Sequence, residues 1–232
     1  MALITSEQIQ KALSTCYEKA LQGLPKTKNV IEFAEEYQRK YVDPKAAAKE
    51  LVKYQILKCG TSGFVTGFGG FITLPVTIPA NIGSVLYVQL RMIAAIAYLG
   101  GYDPNDDVVQ TMVYLCLVGE AAVDVVKQVG IKIGNKIALN ALKKLPGKVL
   151  TKINQKVGFR LFTKFGTKGV INLVKVVPVA GGLVGAGFDV VSTQQIAKQA
   201  IQLFIDNPNT PDAVNDIAEP IEVEDVEEVS ND

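Results

Sequence analysis

From Cys59 to Tyr102 the chain runs for 44 residues with a single formal charge, Arg91. From Gly60 onward it reads GTSGFVTGFGGFITLPVTIPANIGSVLYVQLRMIAAIAYLGGY, Gly-rich and apolar, with prolines at Pro75 and Pro79. No water-facing surface is built from such a run. Each apolar side chain removed from water is worth about 1.5–3 kcal/mol, so the segment has to be buried in a protein core or in lipid. The prolines divide it into a first arm, 59–74, and a second, 79–99. Arms interrupted by Gly and Pro need protein or water around their broken backbone, which favours a buried or re-entrant hairpin over two plain spans. Arg91, at mid-arm, points the same way.

The rest of the chain reads as helices. Thr5 and Ser6 ahead of Gln8 and Ile9 form an N-cap signal, and Gly23 with Pro25 ends that helix. A second helix is expected over 29–41, and a third opens at Asp43-Pro44 and runs to about Cys59. Gly100-Gly101 closes the second arm, and Asp103-Pro104 is expected to open a helix that runs to about Val129. Shorter lysine-rich helices follow, broken at Pro146-Gly147 and Gly166. A second apolar stretch, GVINLVKVVPVAGGLVGAGFDVV, leads to a helix over about 189–205. No window sustains the period-2 alternation of a strand. Gly63 and Gly67, like Gly181 and Gly185, stand four apart, either as smooth faces for close helix approach or as loop positions.

Charge is segregated along the chain. The formal net charge is +1, yet residues 206–232 hold ten Asp/Glu and no Lys/Arg, which leaves 24 basic against 13 acidic residues in 1–205. Between Val125 and Phe188 there are twelve Lys/Arg and no acid. A stretch of one sign is a partner signal, with anionic lipid, nucleic acid and the chain's own tail as candidates. Within it Lys148, Lys152, Lys156, Arg160, Lys164 and Lys168 recur at i+4, preceded by Lys143 and Lys144. Val149, Ile153, Val157, Leu161 and Phe165 run beside them. An i+4 row winds slowly around a helix, so over two turns the surface is basic beside apolar. This suits an interfacial helix whose lysines reach phosphates, and a solvated lysine face on a core-packed helix is the alternative. Nucleic acid is disfavoured, because the aromatics are few and no recognised nucleic-acid motif surrounds them.

The charges set in apolar helices are Arg91, Glu120, Asp124 and Asp189. Buried ionisable groups are usually paired, so a buried polar cluster is expected in which Arg91 meets one of these acids, as a structural ion pair or as a polar ligand site. Asp103, Asp106 and Asp107 at a helix start are explained by capping and dipole compensation rather than by a cation. The chain has no histidine, which removes the commonest general base and zinc ligand; no catalytic residue, metal or cofactor is assigned, and the reading leans away from an enzyme. There is no GxxxxGK[ST], and GFGG at 67–70 lacks the spacing of a dinucleotide fingerprint. Cys16, Cys59 and Cys116 stand apart without CxxC spacing, as expected of reduced thiols. MALITSEQIQK has polar residues where a signal peptide would be apolar, so a cytoplasmic N terminus is expected.

Two long blocks carry a family resemblance: LPVTIPANIGSVLYVQLRMIAAIAYLGGYD at 74–103 and PGKVLTKINQKVGFRLFTKFGTKGVINLVKVVPVAGGLVGAGFD at 146–189. In this order they resemble the signature blocks of the EcsC family of bacterial proteins, over roughly residues 45–205. That family takes its name from a component encoded beside a bacterial ABC transporter. The resemblance implies a bacterial protein linked to membranes; it implies no reaction and supplies no catalytic residues.

The expected architecture is therefore all-α: a single multi-helix domain over 45–205 with a Gly/Pro-interrupted apolar hairpin, amphipathic N-terminal helices over 1–44, and a disordered acidic tail over 206–232. The expected role is that of a non-enzymatic, membrane-associated protein at the cytoplasmic face of the bacterial membrane, or in the cytoplasm. It would recognise anionic lipid or a membrane complex, which could include a transporter, through Lys143, Lys144, Lys148, Lys152, Lys156, Arg160, Lys164 and Lys168. The acidic tail is expected to fold back on that surface. The competing reading is a soluble helical module with an apolar pocket for a lipid-like small molecule.

Overall fold

The computed structural model describes residues 5–60, 80–131, 139–165 and 193–206, and no strand is present among them. The first arm, the second apolar stretch, the glycine pairs and the acidic tail lie outside the described residues, apart from the ends of the arm and tail at 59–60 and 206. Helix α1, Ser6–Gln22, starts at a capping box in which Thr5 and Gln8 each bond the other's backbone N–H, and it ends at Gly23, whose φ is 81°. Helix α2, Val30–Gln38, repeats the device with Asn29 and Glu32. Helix α3, Pro44–Gly60, is capped by Asp43, whose carboxylate accepts from the N–H groups of Lys45 and Ala46. The starts of α1 and α3 lie at or within a residue of the positions the cap signals mark, and α2 begins one residue into its expected range of 29–41 and ends earlier, at Gln38.

Helix α4, Ala80–Leu99, is the second apolar arm. From Val88 to Ala97 every side chain is buried, and the helix packs against α1, α2 and α3. Over that stretch its apolar surface is covered by the chain's own helices. Next comes a helix beginning at Asp107 rather than at Asp103-Pro104. Asp106 is the N-cap and accepts from Val108 and Val109, while Asp103 accepts from the backbone and side chain of Asn105 in a turn. This helix, α5, covers Asp107–Val118 and also packs on α4; a 3₁₀ turn at Gly119–Ala121 joins it to α6, Ala122–Lys127. Gly119 takes φ 63°, a backbone state that a side chain would strain, so the single expected helix is bent here. The stretch Asp107–Lys127 is long and apolar enough to cross a bilayer, with a mean hydropathy of 1.6 in an 18-residue window of which 56% is buried inside the fold. A core helix of a soluble protein has the same properties, and α5 has neighbours both on α4 and on a long basic helix further along the chain.

After the short α7, Leu139–Lys143, comes that basic helix, α8, Gly147–Phe165. It buries Val149, Leu150, Ile153, Val157 and Leu161, and it packs against α5, α1 and α6. At Gly158 the approach to α1 is close: a Cβ there would stand 3.1 Å from Ile9 Cγ2. The last described element, α9, is helical over 193–201 and widens into a π turn at Gln202–Asp206. It is tied to α4 by a buried hydrogen bond from Gln89 Nε2 to Thr193 Oγ1, 3.2 Å, and by Gly100, where a Cβ would stand 2.2 Å from the Phe204 carbonyl oxygen. One contiguous core runs from Leu13 through Ile93 and Ile153 to Phe204, so the N-terminal helices share it with the rest. Tyr17 bridges two elements across it, donating to the Pro104 carbonyl at 2.6 Å and standing edge-on to Tyr114.

Cys16 and Cys116 are free and buried, and burial pushes each thiol from 9.0 up to about 12. Burial also raises the Tyr17 and Tyr114 hydroxyls, with neighbouring acidic groups adding to the effect. Each folded pKa lies above the unfolded one, so this stability is fully present below about pH 9 and is lost as pH rises toward about 12. The urea midpoint is expected to fall steadily over that window. A Cys16→Ala/Cys116→Ala variant should fall less steeply, because of these four groups only the tyrosines still release protons on unfolding; equal slopes would show that the thiols have no part in it.

Candidate functional site

Two surfaces carry the candidate residues. The first is the outer face of α8. Lys143 and Lys144 at the end of α7 and Lys148, Lys152 and Lys156 on α8 are exposed, and Arg160 is half-buried. None of these five lysines is in an ion pair among the described residues. Lys164 and Lys168 lie outside the described side chains. The structure adds one residue that the charge pattern did not single out. Phe159 stands one helical turn beyond Gln155 and Lys156 and is 57% exposed, a large apolar ring left in water beside cations. Its signal was the position itself, a Phe one turn from the lysine row.

The second surface is built around Arg91, which is 7% exposed at the middle of α4. Its expected acidic partners are elsewhere. Glu120 and Asp124 are both exposed, on the 3₁₀ turn and on α6, and Asp189 lies outside the described residues. The expected buried polar cluster is therefore not formed by Arg91, Glu120 and Asp124. Their sequence pattern placed them in an apolar context, but beyond the bend at Gly119 both acids face water, where a carboxylate needs no partner. Arg91 instead reaches the end of α1 and the loop after it. Its Nη1 donates to Ala20 O at 3.0 Å, and its Nη2 donates to Lys28 O and, at 3.4 Å, to Asn29 O. Ala20 lies in the last turn of α1, where carbonyls have no partner within the helix and the dipole end is negative. The Phe33 ring covers the guanidinium, with Cζ 4.9 Å from the ring centroid. Burial lowers the Arg91 pKa while the neighbouring Tyr87 opposes the change, and burial likewise raises Tyr87 against the effect of Arg91.

Arg91 and Tyr87 form one wall of a cleft of about 440 Å³ between α2, α3 and α4, which also takes in Lys28, Glu36, Tyr37, Lys40, Tyr54 and Gln55. Lys28 and Glu36 are paired there, both substantially exposed. Burial pushes the Tyr37 hydroxyl up to about 12, with Tyr54 and nearby carboxylates adding to it. Apart from Arg91, these residues were not candidates from the sequence. They come from three helices and a loop separated along the chain, and no spacing rule links them. No group of His, Cys, Asp and Glu that could hold a metal ion is present among the described residues.

A buried arginine clasp and an exposed basic helix, set in an all-helical fold, define a helical protein without a recognisable catalytic constellation among its described residues. The chain belongs to the EcsC protein family, whose model matches residues 1–205. The match takes in α1 and α2, which lie outside the two blocks that carried the resemblance. Comparison with curated proteins and with solved structures returned no match.

Replacing Arg91 with Lys keeps the charge but loses the planar fork that reaches three carbonyls at once. Arg91→Lys is expected to destabilise the fold by about 2–3 kcal/mol, since buried acceptors lose charged donors. Urea unfolding measures this; a loss below about 0.5 kcal/mol, the range of ordinary surface changes, would show that the clasp does not hold the helices together.

Proposed function

We propose that this chain is a non-enzymatic, membrane-associated helical protein that recognises anionic lipid, or a membrane complex, through the basic face of α8. The observation that carries the reading is the division of α8. One face is buried, while Lys148, Lys152 and Lys156 are exposed to water without ion pairs among the described residues, next to an exposed Phe159. Lysines that reach phosphates around an aromatic that enters the acyl boundary are the features of an interfacial helix. A second reading, a soluble helical module that holds a lipid-like molecule, is favoured by the burial of α4 within the protein.

Flotation with vesicles containing phosphatidylglycerol tests the first reading. Each basic residue near an anionic bilayer is worth about 1 kcal/mol, so Lys148→Gln/Lys152→Gln/Lys156→Gln should weaken binding by roughly a hundredfold at low salt, with helicity unchanged. Phe159→Ser should weaken it with less dependence on salt, because its contribution is apolar. Deleting 206–232, with its ten acids, should raise the affinity at low salt by freeing the basic face. Unchanged affinity in the triple variant would return the lysines to a solvated face. A protein that fails to float and carries co-purified lipid would support the second reading.

A further inference from the structure

The arginine clasp leaves an unbalanced charge. Backbone carbonyls satisfy hydrogen bonds of Arg91, but they are neutral dipoles and do not cancel its charge, and no carboxylate among the described residues bonds it. The cleft it lines also holds Lys28 and Lys40 against one carboxylate, Glu36. Three cations against one acid leave two positive charges in a partly enclosed space. Gln55, 2% exposed, lines the same cleft, so its amide belongs to the wall that a ligand would meet. The remaining walls include the rings of Tyr37 and Tyr54, and 440 Å³ is within the range of small-molecule sites.

We infer that this cleft binds a phosphomonoester carried on a planar or apolar body, with the phosphate between Lys40, Lys28 and Arg91, the body against Tyr37 and Tyr54, and the Gln55 amide on a polar atom of the ligand. A dianion cancels the surplus charge. Glu36 is the resident competitor: its exposed pair with Lys28 is worth little, so an entering phosphate can displace it. No residue of α8 takes part, so the cleft and the membrane-facing helix stand or fall separately.

Phenyl phosphate is the probe, titrated calorimetrically into the full chain, with inorganic phosphate and phenol as its two halves. Saturable binding at least about tenfold tighter than either half is expected. Lys40→Ala and Gln55→Leu should each weaken it about tenfold, and Glu36→Gln should tighten it several-fold. Lys40 and Glu36 are at the cleft's edge and Gln55 is replaced by a similar volume, so circular dichroism and the urea midpoint should confirm folding. Vesicles containing phosphatidic acid distinguish the source of the phosphate: competition with phenyl phosphate in the Lys148→Gln/Lys152→Gln/Lys156→Gln background supports a lipid headgroup, and its absence supports a soluble ligand. No saturable binding, binding indifferent to Lys40→Ala and Gln55→Leu, or weaker binding in Glu36→Gln would overturn the inference.

Discussion

A buried arginine held by backbone carbonyls is the interaction on which the N-terminal half depends. Taking a guanidinium out of water is costly, and an ion pair is the usual compensation. Here the compensation is the end of a helix. Arg91 meets the negative end of α1 at Ala20 and the carbonyls of Lys28 and Asn29, so one side chain of α4 closes the turn between α1 and α2. Orphan carbonyls and a desolvated cation satisfy each other. The clasp ties α1 and α2 to the core they share with α4, and the family match likewise begins at residue 1.

The same solution shapes the surface beside it. Dipoles satisfy hydrogen bonds without neutralising charge, so the wall of the cleft stays positive. Phe33 shields the guanidinium from water on one side, Tyr87 lies one turn before it on α4, and both rings are buried. Elsewhere α8 separates apolar from basic residues by face. Val149, Ile153 and Val157 pack inward, and that packing is what holds the lysines outward. The fold thus presents two basic surfaces of different kinds, an open helix face and a partly enclosed cleft.

Much of the fold was legible locally. Thr5 with Gln8, and Asp43 before Pro44, act through hydrogen bonds within three residues, so their meaning does not depend on distant packing; the capping box of Asn29 with Glu32 is of the same kind but was not singled out from the sequence. That the second arm is buried followed from its near lack of charge, though not whether protein or lipid would cover it, and the two-sided nature of α8 followed from its i+4 spacing. The start of α5 was displaced from Asp103 to Asp106 because three aspartates compete for the cap, and the backbone chooses among them by the turn that Asn105 closes. The bend at Gly119 was also missed, since a glycine within an apolar helical pattern does not announce a positive φ.

Interactions that span only a few residues were determined by the sequence itself: which segments are helical, where most of them start, and that Arg91 sits within a buried arm. The partner of Arg91 was a tertiary decision. Sequence lists side chains, and so it suggested a carboxylate; it does not show which backbone carbonyls will be left unpaired at a helix end facing that position. The cleft has the same origin, because Lys40, Gln55 and Tyr87 become neighbours only when α2, α3 and α4 pack together. Phe159 stands between the two cases. Its place one turn from the lysines is periodicity, but its exposure depends on where α1, α5 and α6 stop covering α8.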